Sequence, residues 1–196
     1  LITSLFKNFN QPQIDLLVND DTIAIAKLLP NINFIYTFSY KDKREKHWMQ
    51  EKKIIQKIFR QYDLSINLTA SDRSVIYSIL AGKKSISAIE KQPQKSWWKK
   101  IFLTYFYYFD TDKHILLNNI EPLSLLNINQ KLNNNFPEVS EHAINKVKRL
   151  LEITKINKFI IFHPSAQYSY KIYPQKLRND LLLMLNNLKI PIIICI

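Results

Sequence analysis

The stretch of this sequence best equipped for chemistry is Phe159 to Pro174, FIIFHPSAQYSYKIYP. An apolar run ends there at His163, a polar loop with Ser165 and Lys171 follows, and Pro174 opens a helical pattern. A short continuous apolar run of this kind suits a buried parallel strand. In open α/β sheets ligands bind at the carboxyl ends of the strands, where loop hydroxyls, a lysine and a helix N-terminus can together hold a diphosphate. The same spacing also describes an ordinary strand-to-helix loop with Lys171 in solvent, and spacing alone leaves both readings open.

Other chemically capable residues are less organised. A basic tract of Lys41, Lys43, Arg44, Lys46, Lys52, Lys53, Lys57 and Arg60, with His47 and Trp48 beside it, begins in a loop and continues into a helical pattern. It would attract an anionic ligand or membrane surface, although a solvated helix face accounts for most of it. Trp97, Trp98, Lys99 and Lys100 could lie at a membrane interface or serve as packing on a helix. His114 and His142 have no ligand partners at metal spacing, and the single cysteine, Cys195, has no partner at all. No metal, disulfide or cofactor is therefore assigned.

The elements that must position these residues alternate. An opening helix over Leu1 to Asn8 is followed by a strand from Gln13 to Asn19 and a helix to Leu29 with Asp20 and Asp21 as caps. A strand over Asn33 to Phe38 leads to a helix from about His47 to Gln61. Next come a strand over Leu64 to Leu68, cap candidates Thr69 and Ser71, a helix over Asp72 to Leu80 and a strand over Lys84 to Ile89. This alternation predicts a parallel sheet covered on both faces. After Pro93 it pauses: Trp97, Trp98, Ile101, Phe102, Tyr105 and Phe106 read as one aromatic helical stripe, and a second helix spans His114 to about Leu126. An asparagine-rich connection over Asn127 to Pro137 and a helix over Ser140 to Leu151 lead into a fresh unit, with strand Phe159 to His163, helix Pro174 to Leu188 and strand Pro191 to Ile196.

The bulk numbers are compatible with this plan. At 196 residues and 46% hydrophobic the chain has the material for one α/β domain and part of another, and too much apolar content for disorder. The net charge of +12 draws an anionic partner without choosing among nucleic acid, a phosphorylated glycolipid and a membrane. No run reaches the length needed to span a bilayer. A single glycine, Gly82, stands where average usage of about 7% would place more than ten, so the glycine-rich loops of a nucleotide-binding fold are expected outside this sequence. The chain is accordingly expected to lack a first strand and most of a second domain.

The loop motif His163-Pro-Ser-Ala-Gln-Tyr-Ser-Tyr-Lys-Ile-Tyr-Pro174 resembles the second-domain motif of family 9 glycosyltransferases, the lipopolysaccharide heptosyltransferases, and most of all their type III form. Two further segments agree. Tyr62 to Gly82, YDLSINLTASDRSVIYSILAG, is similar to the family's strand-turn-helix unit, and Gln13 to Asn33 to the unit before it. The resemblance implies a GT-B-like α/β fold with two Rossmann-like domains and parallel sheets. Residues 1–150 would form the acceptor-side domain and residues 151–196 the start of the nucleotide-sugar domain.

The resemblance further implies that Ser165, Ala166 and Lys171 bind the donor, with Ala166 where a hydroxyl is common and Tyr173 where a Trp is usual. Asn67, Thr69, Asp72 and Arg73 would face the acceptor, although capping and helix decoration explain the same four residues structurally. The implied activity is inverting transfer of heptose from ADP-heptose to the lipopolysaccharide inner core. It would take place in the cytoplasm of a Gram-negative bacterium, peripheral to the inner membrane, with no nucleic acid as partner. The family's general base lies in a loop not found in this sequence, so the catalytic base is unknown. A basic nucleic-acid-binding module and a folded but inactive remnant of the transferase are the alternatives.

Overall fold

The computed structural model describes residues 1–40, 44–129, 139–166 and 169–195. They form two compact units, Leu1–Glu138 and Val139–Ile196. The second unit begins ahead of the helix that the sequence pattern places over Ser140 to Leu151.

In the first unit the order is α1 (Ile2–Asn8), β1 (Asp15–Asn19), α2 (Ile23–Ala26), β2 (Phe34–Phe38), α3 (Arg44–Ile58), β3 (Tyr62–Asn67), α4 (Asp72–Ala81), β4 (Gly82–Ile89), α5 (Pro93–Phe102), β5 (Tyr105–Tyr108) and α6 (Ile115–Leu125). β1 and β2 pair in parallel with Asp15 opposite Phe34, and β3, β4 and β5 form a parallel sheet in that order. The helix expected to run to Leu29 is shorter than its pattern. Asp20–Thr22 form a 3-10 turn, α2 stops at Ala26, and Asn31 takes a positive φ. Pro30 accounts for the early stop, because its ring disfavours the helical conformation in the residue before it.

β4 is the central strand, and from Ser85 to Ile89 every residue is buried. On one face Val75, Ile89 and Leu103 pack with Ile79, Trp98 and Phe106; on the other Ile86, Ala88 and Tyr107 pack with Leu64, Ile66, Leu125 and Leu126. A third cluster joins β2, α3 and α4 through Phe38, Ile54, Ile58, Tyr77 and Ala81. α4 passes into β4 without a loop, and the residue at the junction is the chain's single glycine. A Cβ on Gly82 would overlap the carbonyl oxygen of Lys84 and lie 2.7 Å from Ser65 Oγ and 2.8 Å from Ser65 N.

One expectation is corrected here. The aromatic stripe is not one helix: α5 ends at Phe102, and Tyr105 and Phe106 belong to β5, in register with Ile86 and Ser87 of β4. The alternation of strand and helix therefore continues through this region. Four consecutive aromatic residues have high strand propensity. Pairing with β4 sends Phe106 to one core cluster and Tyr107 to the other, an alternation that a helix could not supply.

The second unit contains α7 (Glu141–Ile153), β6 (Ile160–Phe162), a 3-10 turn over Ser169–Lys171, α8 (Gln175–Asn186) and β7 (Ile192–Ile194). β6 and β7 run parallel, with Ile160 opposite Ile192. Ser140 caps α7, its Oγ accepting from the Ala143 amide at 3.3 Å. Among the described residues no helix is long and apolar enough to cross a membrane.

Candidate functional site

β3 and β4 deliver two connections to the carboxyl end of their sheet, and the one from the end of β3 into the start of α4 carries all four candidate acceptor residues. Asn67 closes β3. Its side-chain amide donates to Ser87 Oγ at 2.8 Å, on the neighbouring strand, and to the carbonyl of Thr69. Thr69 Oγ1 lies 2.6 Å from Ser74 Oγ, which lies 2.7 Å from Ser71 Oγ. Ser71 is the N-cap of α4 and accepts from the Ser74 amide at 3.4 Å. A strand end and a helix start are thus joined by a chain of amide and hydroxyl groups, with Thr69 and Ser71 exposed.

Asp72 opens α4, and its carboxylate pairs at 2.7 Å with Nζ of Lys99. Lys99 comes from α5 and is fully buried. It also donates to Glu90 Oε2 at 2.7 Å and to the Ala70 carbonyl at 2.6 Å. Arg73 turns the other way. Its guanidinium carbon lies 3.4 Å from the centroid of the Phe38 ring and 5.0 Å from that of Tyr40, and its Nε is 3.4 Å from Glu51 Oε1. Burial pushes the nearby Tyr77 hydroxyl above its ordinary value, with the Arg73 charge opposing the shift. Of the four candidates, Asn67, Thr69 and Asp72 share one loop network, whereas Arg73 is stacked against β2 and paired with α3.

The residues the sequence reading passed over here are Lys99, Glu90, Ser71 as part of the hydroxyl chain, Ser74 and Ser87. Lys99 sits nine positions after Glu90 and far from Ala70, so no helical or strand spacing announces their meeting. The sequence groups it with Trp97, Trp98 and Lys100 and leaves that group open between a membrane interface and helix packing. Trp97 is indeed 62% exposed and Lys99 is not exposed at all, which divides that cluster.

In the second unit the candidate donor residues lie on the connection from β6 to α8. His163 Nδ1 is 3.0 Å from the Cys195 carbonyl, and the Cys195 amide donates to the Phe162 carbonyl at 3.0 Å, so the strand end is tied to the end of β7. Ser165 and Ala166 follow, half-buried, while Gln167 and Tyr168 of the motif lie outside the described residues. Lys171 ends the 3-10 turn, exposed, with Nζ 5.7 Å from the ring centroid of Tyr170. Pro174 is the N-cap of α8 and provides no side-chain cap. The first-turn amides of this helix therefore receive no cap from the N-cap side chain, and a helix start of this kind favours an anion.

Most of the described part of the basic tract falls on α3, where Lys52, Lys53 and Lys57 are exposed; Arg60 donates to the Gly82 carbonyl at 2.9 Å. Lys41 and Lys43 lie outside the described residues, as do the side chains of Arg44, Lys46 and His47. Two open surface concavities, about 520 Å³ along α7 and about 260 Å³ between β2 and α3, hold none of the candidate donor or acceptor residues, although Lys53 and Lys57 of the basic tract line the second. The first is lined by one face of a single helix, so the strand ends, where polar groups converge from several elements, are the better candidate site. Among the described residues no group of three or more His, Cys, Asp or Glu could hold a metal ion.

No family model matches the chain. It is similar to lipopolysaccharide heptosyltransferase 3 of Escherichia coli strain K12, with 27% identity over 177 residues covering 88% of this chain and 51% of that protein. A second Escherichia coli lipopolysaccharide heptosyltransferase 3 is 23% identical over 177 residues, 52% of its length. The chain thus spans about half the length of the curated relatives it matches. Among solved structures it is similar to the glycosyl transferase family 9 protein of Veillonella parvula DSM 2008, with a TM-score of 0.75 at 15% identity over 98% of this chain and 56% of that one. It is also similar to the Escherichia coli heptosyltransferase WaaC with ADP, with a TM-score of 0.65 at 12% identity over 98% of this chain and 59% of that one. These likenesses show the fold, α/β and GT-B-like with Rossmann-like units and parallel sheets, as the family resemblance implies.

Proposed function

We propose that this protein is an inverting glycosyltransferase that moves heptose from ADP-heptose to the inner core of lipopolysaccharide. The observation that carries the proposal is the β6-to-α8 connection. A hydroxyl at Ser165, a lysine at Lys171 and a helix start without a capping side chain follow one parallel strand, in a chain similar over 88% of its length to lipopolysaccharide heptosyltransferases. Such groups suit the diphosphate of a nucleotide sugar. As the glycosidic bond to the donor breaks, charge accumulates on the departing diphosphate, and a lysine with helix amides stabilises it there. Ala166 places backbone without a bulky side chain beside Ser165.

On the acceptor side, Thr69 and Asp72 offer hydroxyl and carboxylate groups to a sugar, with Asn67 holding the Thr69 loop in place; Arg73, stacked on Phe38 and paired with Glu51, serves the join between β2, α3 and α4. Transfer with inversion needs a base for the acceptor hydroxyl; no residue of this chain is assigned to it. The reaction is placed at the cytoplasmic face of the inner membrane, where an anionic acceptor and anionic lipid would both be drawn to a chain of net charge +12.

The test is calorimetric binding of ADP and ADP-heptose to the full-length natural protein and to Lys171→Ala. Losing one charge-assisted contact, worth about 1.5–3 kcal/mol, weakens binding roughly 10- to 150-fold. A folded wild-type protein that binds neither nucleotide overturns the reading.

A further inference from the structure

We infer that Lys99 is a positioning residue for sugar recognition at the carboxyl ends of β3 and β4, acting through the loop that carries Thr69, Ala70 and Asp72. The inference rests on the acceptor-side reading above and adds a residue that neither the motif nor its spacing indicates.

A lysine ammonium has three N–H donors and no acceptor. At Lys99 the three are matched by three oxygens within 2.7 Å: the Ala70 carbonyl, Asp72 Oδ1 and Glu90 Oε2. They come from the loop after β3, the first residue of α4 and the residue after β4, so one buried cation from α5 holds three strand-end features at once. An unpaired ammonium in that position would be strongly disfavoured, and each carboxylate needs the cation between them, since both lie 2.7 Å from the same nitrogen.

The consequence for recognition concerns Asp72. Its side chain is 68% exposed although one oxygen is fixed by a fully buried partner, so its other oxygen is presented to solvent in a defined direction. Beside it Thr69 and Ser71 are exposed, and Asn67 is tied to Ser87. Carboxylate and hydroxyl groups held at fixed spacing are chemistry that recognises a polyhydroxylated sugar, and each bond is stronger when the group need not be ordered on binding. Lys99 supplies that order without touching the ligand.

The experiment uses the full-length natural protein and two variants, Lys99→Met, which keeps the aliphatic stem, and Glu90→Gln, a milder change that covers the case in which the first does not fold. Three quantities are read: the acceptor KM, the ADP dissociation constant, and amide hydrogen exchange at Thr69, Ser74 and Val75, whose N–H groups are bonded within this loop and helix start. The expected result is an acceptor KM raised at least tenfold in Lys99→Met and about threefold in Glu90→Gln. ADP binding stays within twofold, and exchange is faster at those amides than elsewhere. Donor and acceptor constants weakening together with uniformly faster exchange, or no change in a folded variant, overturns the inference. Should the wild type transfer no heptose, the transferase reading fails separately. The exchange pattern then decides for Lys99: release confined to the loop supports its positioning role, and uniform or absent release removes it.

Discussion

The sequence leaves Arg73 open between an acceptor contact and helix decoration, and the structure stacks it on Phe38 and pairs it with Glu51, so replacing it separates two uses of one guanidinium. Arg73→Met keeps an unbranched apolar stem and removes the charge and the planar head. The stack at 3.4 Å from the Phe38 centroid contributes about 0.5–1 kcal/mol at a partly exposed site. The Glu51 pair, with side chains 32% and 33% exposed, contributes roughly 0.5 kcal/mol after solvent screening. The variant should therefore lose about 1–1.5 kcal/mol, which for a chain of this size lowers the melting midpoint by roughly 3–5 °C. Arg73→Lys keeps the charge but not the planar stack and should fall between the two. Thermal unfolding followed by circular dichroism reads these shifts, and a double-mutant cycle with Glu51→Gln isolates the ion pair. An Arg73→Met protein that melts with the wild type while its acceptor KM rises would refute the reasoning, because the guanidinium would then be serving ligand and not the join between β2, α3 and α4.

Two further outcomes follow from packing. Gly82→Ala places a methyl against Lys84 and Ser65 backbone atoms in the β3–β4 pair, where neither strand can yield freely; it should cost about 1–3 kcal/mol and lower the melting midpoint by several degrees. Tyr107 is 6% exposed and its hydroxyl has no hydrogen-bond partner among the described residues, so Tyr107→Phe should melt no lower than the wild type at neutral pH. Burial, with the Glu121 charge adding to it, holds the folded Tyr107 hydroxyl above its ordinary value. The unfolded phenol ionises first, so this residue's contribution is intact below about pH 10 and is lost as pH rises beyond it. Alkaline titration of stability should accordingly fall more steeply in the wild type than in Tyr107→Phe.

Much of the architecture is legible in the sequence alone, because in a parallel α/β chain each strand is a short apolar run and each helix has a periodic face and a cap. The runs at Asp15–Asn19, Phe34–Phe38, Tyr62–Asn67, Gly82–Ile89 and Ile160–Phe162 were found within two residues or so of their observed limits, and Ser71 and Ser140 were recognised as caps. The motif from His163 to Pro174 named a family whose fold the structural likenesses bear out. Where local pattern was ambiguous it misled. Tyr105 and Phe106 continue the helical spacing of Trp98 and Phe102, and only pairing with β4 turns them into a strand.

The sequence by itself determined the order of elements apart from β5, the family resemblance and the types of residue at the strand ends, since these depend on local periodicity, caps and a contiguous motif. The tertiary structure alone decided which of those residues work together. Asp72 and Arg73 are neighbours in the chain, yet one meets Lys99 and Glu90 while the other stacks on Phe38, because successive residues of a helix point about 100° apart and reach different neighbours. Lys99, indistinguishable in the sequence from the half-buried lysine beside it, is fully buried because α5 turns that side chain onto Ala70 and Glu90 at the ends of β3 and β4. Contacts between residues far apart in sequence carry no local signature, and the charge of a buried lysine acquires its meaning only from the oxygens that folding brings to it.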